Sequence, residues 1–145
     1  MDGSDGARTP RLTRGGILPV MVVQPRRILV AFDGSEQAWR ALDVAARMTG
    51  YGSTLTVVSV GRDGNGSVRG LLDEAHARLL GHRVPATYVE RHGAPAAELV
   101  AAAGELGSDL VVIGRRAGGG TDEPLPGSVS AEVLREAPCD VLVIR

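Results

Sequence analysis

Ile28-Leu29-Val30-Ala31-Phe32 runs directly into Asp33-Gly34-Ser35. A continuous apolar stretch of strand length is thus followed by residues that turn a chain and cap a helix. The spacing then predicts a helix over residues 36 to 49, with Ala38, Ala41, Leu42, Ala45 and Met48 on one stripe and Gly50 as its stop. A second strand is predicted over 54 to 60. A polar loop with Gly61, Gly64 and Gly66 follows, then a helix from about Ser67 whose Val68, Leu71, Leu72, Ala75 and Leu79 share a face before Gly81. Residues 85 to 90 form a more polar run, read as an edge strand. Pro95 suits the first position of a third helix, with Leu99, Val100, Ala103 and Leu106 apolar and Gly107 as its stop. Residues 109 to 113 are a fourth strand. A glycine-rich loop over 114 to 127 leads to a helix starting at Ser128 or Ser130, and residues 141 to 144 are a fifth strand. Strands and amphipathic helices alternate throughout, which is the pattern of a single doubly wound α/β domain with a five-stranded parallel sheet covered on both faces. Ligands of such sheets bind beyond the carboxyl ends of the strands, where the strand order reverses. The ends in question are Asp33 and Gly114.

The chain has 145 residues, room for one core and no second module. Its 16 basic residues are all arginine, and against 17 acidic residues they leave a net charge of -1. That balance offers no attraction to nucleic acid or an anionic membrane. The absence of lysine removes the P-loop, the protein-kinase strand lysine and Schiff-base chemistry. Phe32, Trp39, Tyr51 and Tyr88 are the only aromatics, too few to build a stacking platform for RNA. The single cysteine, Cys139, can form neither an internal disulfide nor a thiolate cluster, which suits a reducing compartment. Cys139 is expected to be a buried small hydrophobe, His76, His82 and His92 to be surface residues, and Trp39 to cover the helix–sheet edge, a partner contact being the alternative.

Residues 1 to 25 lack a sustained period and are rich in Gly, Pro, Ser, Thr and Arg, so they are expected to form a disordered tail. The apolar island over 17 to 23 is broken by Pro19 and is too short to span a membrane or to act as a secretory signal. A cytoplasmic location is expected. Met21 could equally be the natural start of translation.

The segment from Gly114 to Ser130 has the physics of an anion site: glycines permit close approach of backbone N–H groups, a new helix presents its positive end, and two hydroxyls add donors. A solvated flexible loop is the plain alternative. Its spacing, Gly114, two residues, Ala117, nine residues, Gly127-Ser128, closely resembles the Gly-x2-Gly-x9-Gly-Ser/Thr signature of the universal stress protein family. The likeness extends to Arg26 through Ser35, to the second strand, to Gly93-Ala94-Pro95, to Asp109 through Gly114 and to Ala137 through Ile144, and so covers residues 26 to 145.

The resemblance implies a strand order of 3-2-1-4-5 and an ATP site. In it Asp33 and Ala31 approach the adenosine, Val60 flanks the adenine, and Gly114, Arg116 and Ala117 line the ribose and phosphate side. Gly127, Ser128, Val129 and Ser130 hold the phosphates. Two features depart from the pattern: the second glycine is Ala117, and Asp122-Glu123 bring two carboxylates that would repel phosphate unless Mg²⁺ intervenes or they face solvent. The expected function is that of an ATP-binding regulator of the stress response, without a protein metal site. The alternative is a dimeric interaction module of the same fold that binds no nucleotide. No residue is placed to activate water, so hydrolysis is expected to be incidental. In the implied order, residues 141 to 144 lie at a sheet edge without lysine or proline, and a homodimer through that strand is expected. Paired acids with a lysine, a Gly-x-Gly-x-x-Gly turn, a Gly-x-Ser-x-Gly elbow and a His-Glu-x-x-His pair are all absent, which removes phospho-acceptor, dinucleotide, hydrolase and zinc-protease readings.

Overall fold

The computed structural model describes residues 25 to 62, 68 to 115 and 128 to 145. In chain order its elements are β1 (Arg27–Ala31), α1 (Glu36–Met48), β2 (Thr54–Gly61), α2 (Val68–Gly81), β3 (Thr87–His92), α3 (Pro95–Leu106), β4 (Leu110–Gly114), α4 (Val129–Glu136) and β5 (Asp140–Ile144). The strands form one sheet in the order β3-β2-β1-β4-β5, and every pairing is parallel. The α/β alternation and the doubly wound sheet are as the sequence predicts, and the 3-2-1-4-5 order is the one the family resemblance implies. Among the described residues no helix is long and apolar enough to cross a membrane.

Two apolar layers sandwich the sheet, because side chains alternate across a strand. On one face Ile28, Val30 and Phe32 of the β1 segment pack with Ala38, Leu42 and Ala45 of α1 and Leu72 and Leu79 of α2. On the other, Leu29, Val58 and Val111 pack with Leu99, Ala102 and Ala103 of α3 and Val133 of α4. Trp39 meets Phe32 edge-on, with ring centroids 4.7 Å apart, and lies beneath the Arg78 guanidinium. It therefore covers the helix–sheet edge, and Arg78 is held over it by a two-pronged ion pair to Asp43. At the start of β1 the Asp109 carboxylate accepts the N–H groups of both Arg26 and Arg27, which ties β1 to β4 at the sheet's lower end.

Four expectations are corrected. The third strand begins at Thr87 rather than 85 and continues to His92. Val84 gives its N–H to Leu79 to close α2, and Pro85 has none to give, so the ladder opens with Thr87 opposite Thr56. In α3 the apolar stripe turns toward its alanines: Ala96, Leu99, Ala102 and Ala103 are buried, while Leu106 is 38% exposed. Cys139 is half-buried rather than buried, packing beside the α3 layer, and burial, with Asp109 and Asp140 after it, pushes its thiol pKa up. Gly81 is the last residue of α2 rather than its stop. Arg83, at φ 60, takes the left-handed position, with Arg83 N–H to Leu80 and Val84 N–H to Leu79. The tail expected over residues 1 to 25 lies, apart from Pro25, outside the described residues.

Candidate functional site

The turn after β1 is built from local hydrogen bonds. Asp33 Oδ1 accepts the Ser35 N–H at 2.9 Å, and Ser35 Oγ accepts the Ala38 N–H at 3.2 Å as the N-cap of α1. Gly34 sits between them at φ +82, a conformation that L side chains rarely adopt. Ser59, buried on β2, donates its hydroxyl hydrogen bond to the Phe32 carbonyl, so the chain leaving β1 is fixed one residue beyond the strand.

On the far side of the switch point, Ser128 caps α4 in the same way, its Oγ accepting the Ala131 N–H at 3.2 Å. The Glu132 N–H goes to the Ser128 carbonyl. Of the first-turn donors, those of Val129 and Ser130 have no hydrogen-bond partner among the described residues, and both residues line the cleft. Ser130 is 2% exposed, with its hydroxyl 3.4 Å from that of Ser128.

Between these two turns lies a cleft of about 580 Å³ at the carboxyl ends of β1, β2 and β4, within the size range of small-molecule sites. Its β1 and α1 side is formed by Ala31, Phe32, Asp33, Ser35 and Gln37. Val58 and Val60 of β2 face Pro95 and Leu99 of α3 across an apolar slot, and Arg62 stands at its rim. The third side consists of Ile113, Gly114, Arg115, Val129 and Ser130. One end is apolar and the other offers helix N–H donors, a hydroxyl and a cation. Such a division suits a ligand with an apolar ring system at one end and an anion at the other.

Of the residues singled out from sequence, Ala31, Asp33, Val60, Gly114, Val129 and Ser130 come together around this cleft. Ser128 serves as the cap beside it. Arg116, Ala117, Gly127 and the Asp122-Glu123 pair lie outside the described residues. Sequence reasoning missed Gln37, Arg62, Pro95 and Leu99. Arg62 could have been found from strand period, because 58, 60 and 62 fall on one face. Among the described residues no three His, Cys, Asp or Glu side chains converge on a metal position. His76 lies against the Tyr88 ring, His82 near Asp43, and His92 bonds Glu90 at 2.9 Å, all three on the exposed surface.

Fold and cleft together define a doubly wound α/β domain whose open pocket lies at the topological switch point. The family model described as the universal stress protein family matches residues 25–145. The chain belongs to that family. Universal stress protein YxiE of Bacillus subtilis is 29% identical over 145 residues, covering 82% of this chain and 98% of its own length. A universal stress protein of Thermus aquaticus is 34% identical over 137 residues, covering 83% of this chain and 98% of its own. Among solved structures, that of a universal stress protein in complex with cAMP matches with a TM-score of 0.71 at 25% identity, over 85% of this chain and 99% of that one.

Proposed function

We propose that the protein is a nucleotide-dependent regulator of the stress response, acting in the cytoplasm, whose cleft takes an adenine nucleotide, ATP in the first instance. The observation that carries the reading is the two-ended cleft: an apolar slot between Val58, Val60, Pro95 and Leu99, and the N-terminus of α4 with Ser130 at the other end. The base would enter the slot and the phosphates would meet the Val129 and Ser130 N–H groups. The relative that binds cAMP adds support, since it has the same fold over nearly its full length. Mg²⁺, where present, would enter on the phosphates of ATP itself, because the described side chains converge on no metal position. The function is assigned to residues 26 to 145, and no catalytic residue is assigned.

Heating the purified protein and identifying any released nucleotide tests this, followed by calorimetry with ATP and Mg²⁺. A stoichiometric adenine nucleotide, or saturable heat at micromolar to millimolar ATP, is the expected result. Protein that releases nothing and gives no heat with ATP, AMP or cAMP would overturn it. A second reading then stands, that of a dimeric interaction module without nucleotide, favoured by Ala117 and by the two carboxylates of Asp122-Glu123 in the loop.

We also propose a homodimer through β5. All four residues 141 to 144 are only half-buried, and the strand closes one side of the sheet. The opposite edge strand, β3, ends in Glu90, Arg91 and His92, polar side chains that discourage pairing.

A further inference from the structure

Val58 and Val60 line the slot from the same face of β2, and Arg62 is the next residue in that row. Beside this row, Arg91 on β3 is the register partner of Val60 and binds Glu98 and Glu105 of α3 at 2.9 Å each. The carboxylates that α3 turns toward this wall are therefore engaged by Arg91. Arg62 stands at the rim with no ion pair among the described residues.

Across the cleft are Gly114, Ser130 and the N-terminus of α4. Because β1 lies between β2 and β4, the two walls are separated by two strand spacings, about 9.5 Å. A purine and its phosphate are separated on that scale, so an anion held at α4 leaves the ring system, not a second phosphate, beneath Arg62. The aromatic side chain in the cleft, Phe32, packs with the opposite layer of the sheet. On the slot side the planar side chain is the Arg62 guanidinium, and such a plane is weakly hydrated and stacks well on aromatic rings.

We propose that Arg62 is a binding residue of the base end, its guanidinium lying on the face of a purine seated against Val58 and Val60. The inference rests on the nucleotide reading above and adds to it the residue that selects for a flat, π-rich group. Arg115 lines the opposite wall of the cleft, beside Gly114.

The test is calorimetry of the full-length protein and its Arg62→Ala and Arg62→Lys variants with adenosine and with AMP. Adenosine carries no phosphate, so it isolates the base end. Arg62→Ala is expected to weaken both ligands by the same factor, roughly three- to thirtyfold. Arg62→Lys keeps the charge without the plane and is expected to recover less than half of that loss on a logarithmic scale. Thermal midpoints unchanged from the parent protein show that the fold is intact, as befits an exposed strand-end position. A loss confined to AMP would place Arg62 on the phosphate and overturn the proposal, as would equal affinities in the parent and Arg62→Ala. If the parent protein binds neither adenosine nor AMP, the nucleotide reading itself fails and the inference falls with it.

Discussion

Gly114, the last residue of β4, lies directly against the main chain of Gln37 in the first turn of α1. A Cβ at position 114 would stand 2.8 Å from the Gln37 carbonyl carbon and 2.9 Å from its oxygen. The obstacle is backbone, which cannot rotate aside as a side chain could. The glycine at the switch point is therefore demanded first by helix–sheet packing. It shapes the cleft by letting α1 settle on β4, and any close approach of a ligand comes on top of that.

Gly114→Ala is accordingly expected to destabilise the protein without any ligand present. Overpacking against fixed backbone costs about 1–3 kcal/mol, which would lower the urea midpoint and, by displacing the start of α1, weaken nucleotide binding as well. An alanine variant with the parent's midpoint would show that α1 can yield at no cost.

Arg83 and Gly107 close their helices alike, and only one of them is a glycine. Gly107 sits at φ 63 with its N–H on Gly104 and the Ser108 N–H on Ala103, the same pair of bonds that Arg83 and Val84 make after α2. A side chain in this region costs roughly 1–2 kcal/mol, and glycine gives back about 0.5–1 kcal/mol through its greater freedom when unfolded. Arg83→Gly should thus stabilise the protein by about 0.5–1 kcal/mol in urea unfolding. Arg83→Ala, which keeps the Cβ, should leave stability close to that of the parent.

The alternation of strand and helix was legible because β1, β2 and β4 are continuous apolar runs and the helices between them carry clear stripes. The third strand was legible as an edge strand but not in its extent, because its last residues are polar for a reason written elsewhere in the chain. Arg91 is tolerated on the α3 face only because Glu98 and Glu105 reach it from a helix that follows later. For the same reason the cleft was half legible. Asp33 and Gly114 announce themselves at strand ends and Val60 through the family resemblance, whereas Gln37, Pro95 and Leu99 join the site through packing of α1 and α3 on the sheet, which no local pattern records. Gly114 was found by its position in a signature, yet its contact with Gln37 belongs to a segment 77 residues earlier in the numbering.

The Arg91 bridge makes one contribution to stability depend on pH. Hydrogen bonds from Arg91, and its charge after them, hold the Glu105 carboxyl below its ordinary value of 4.5. A lowered folded-state pKa means that the contribution is complete above 4.5 and disappears as the pH falls through the folded pKa. Glu105→Gln should therefore lower the urea midpoint at neutral pH, modestly because the pair is exposed. The gap between variant and parent should stay constant down to 4.5 and close below it. A gap that persisted in acid would assign the effect to something other than this ion pair.

The β5 edge yields the sharpest test of assembly, because the direction of its backbone groups can be worked out. Arg115 donates its N–H to the Ile144 carbonyl, so the backbone groups of Ile144 point inward to β4. Successive residues of a strand point to opposite sides, and Val143 consequently turns its N–H and C=O outward, to the free edge. A proline at 143 removes an outward donor and leaves the ladder to β4 in place, the arrangement in which strands tolerate proline. If two copies pair antiparallel through β5, the parent should scatter light as a dimer at micromolar concentration and Val143→Pro as a folded monomer. Leu142→Pro, whose lost N–H belongs to the inner ladder, should instead destabilise the fold itself. A parent protein that is monomeric at micromolar concentration, or a Val143→Pro variant that remains dimeric, would rule out this strand as the interface.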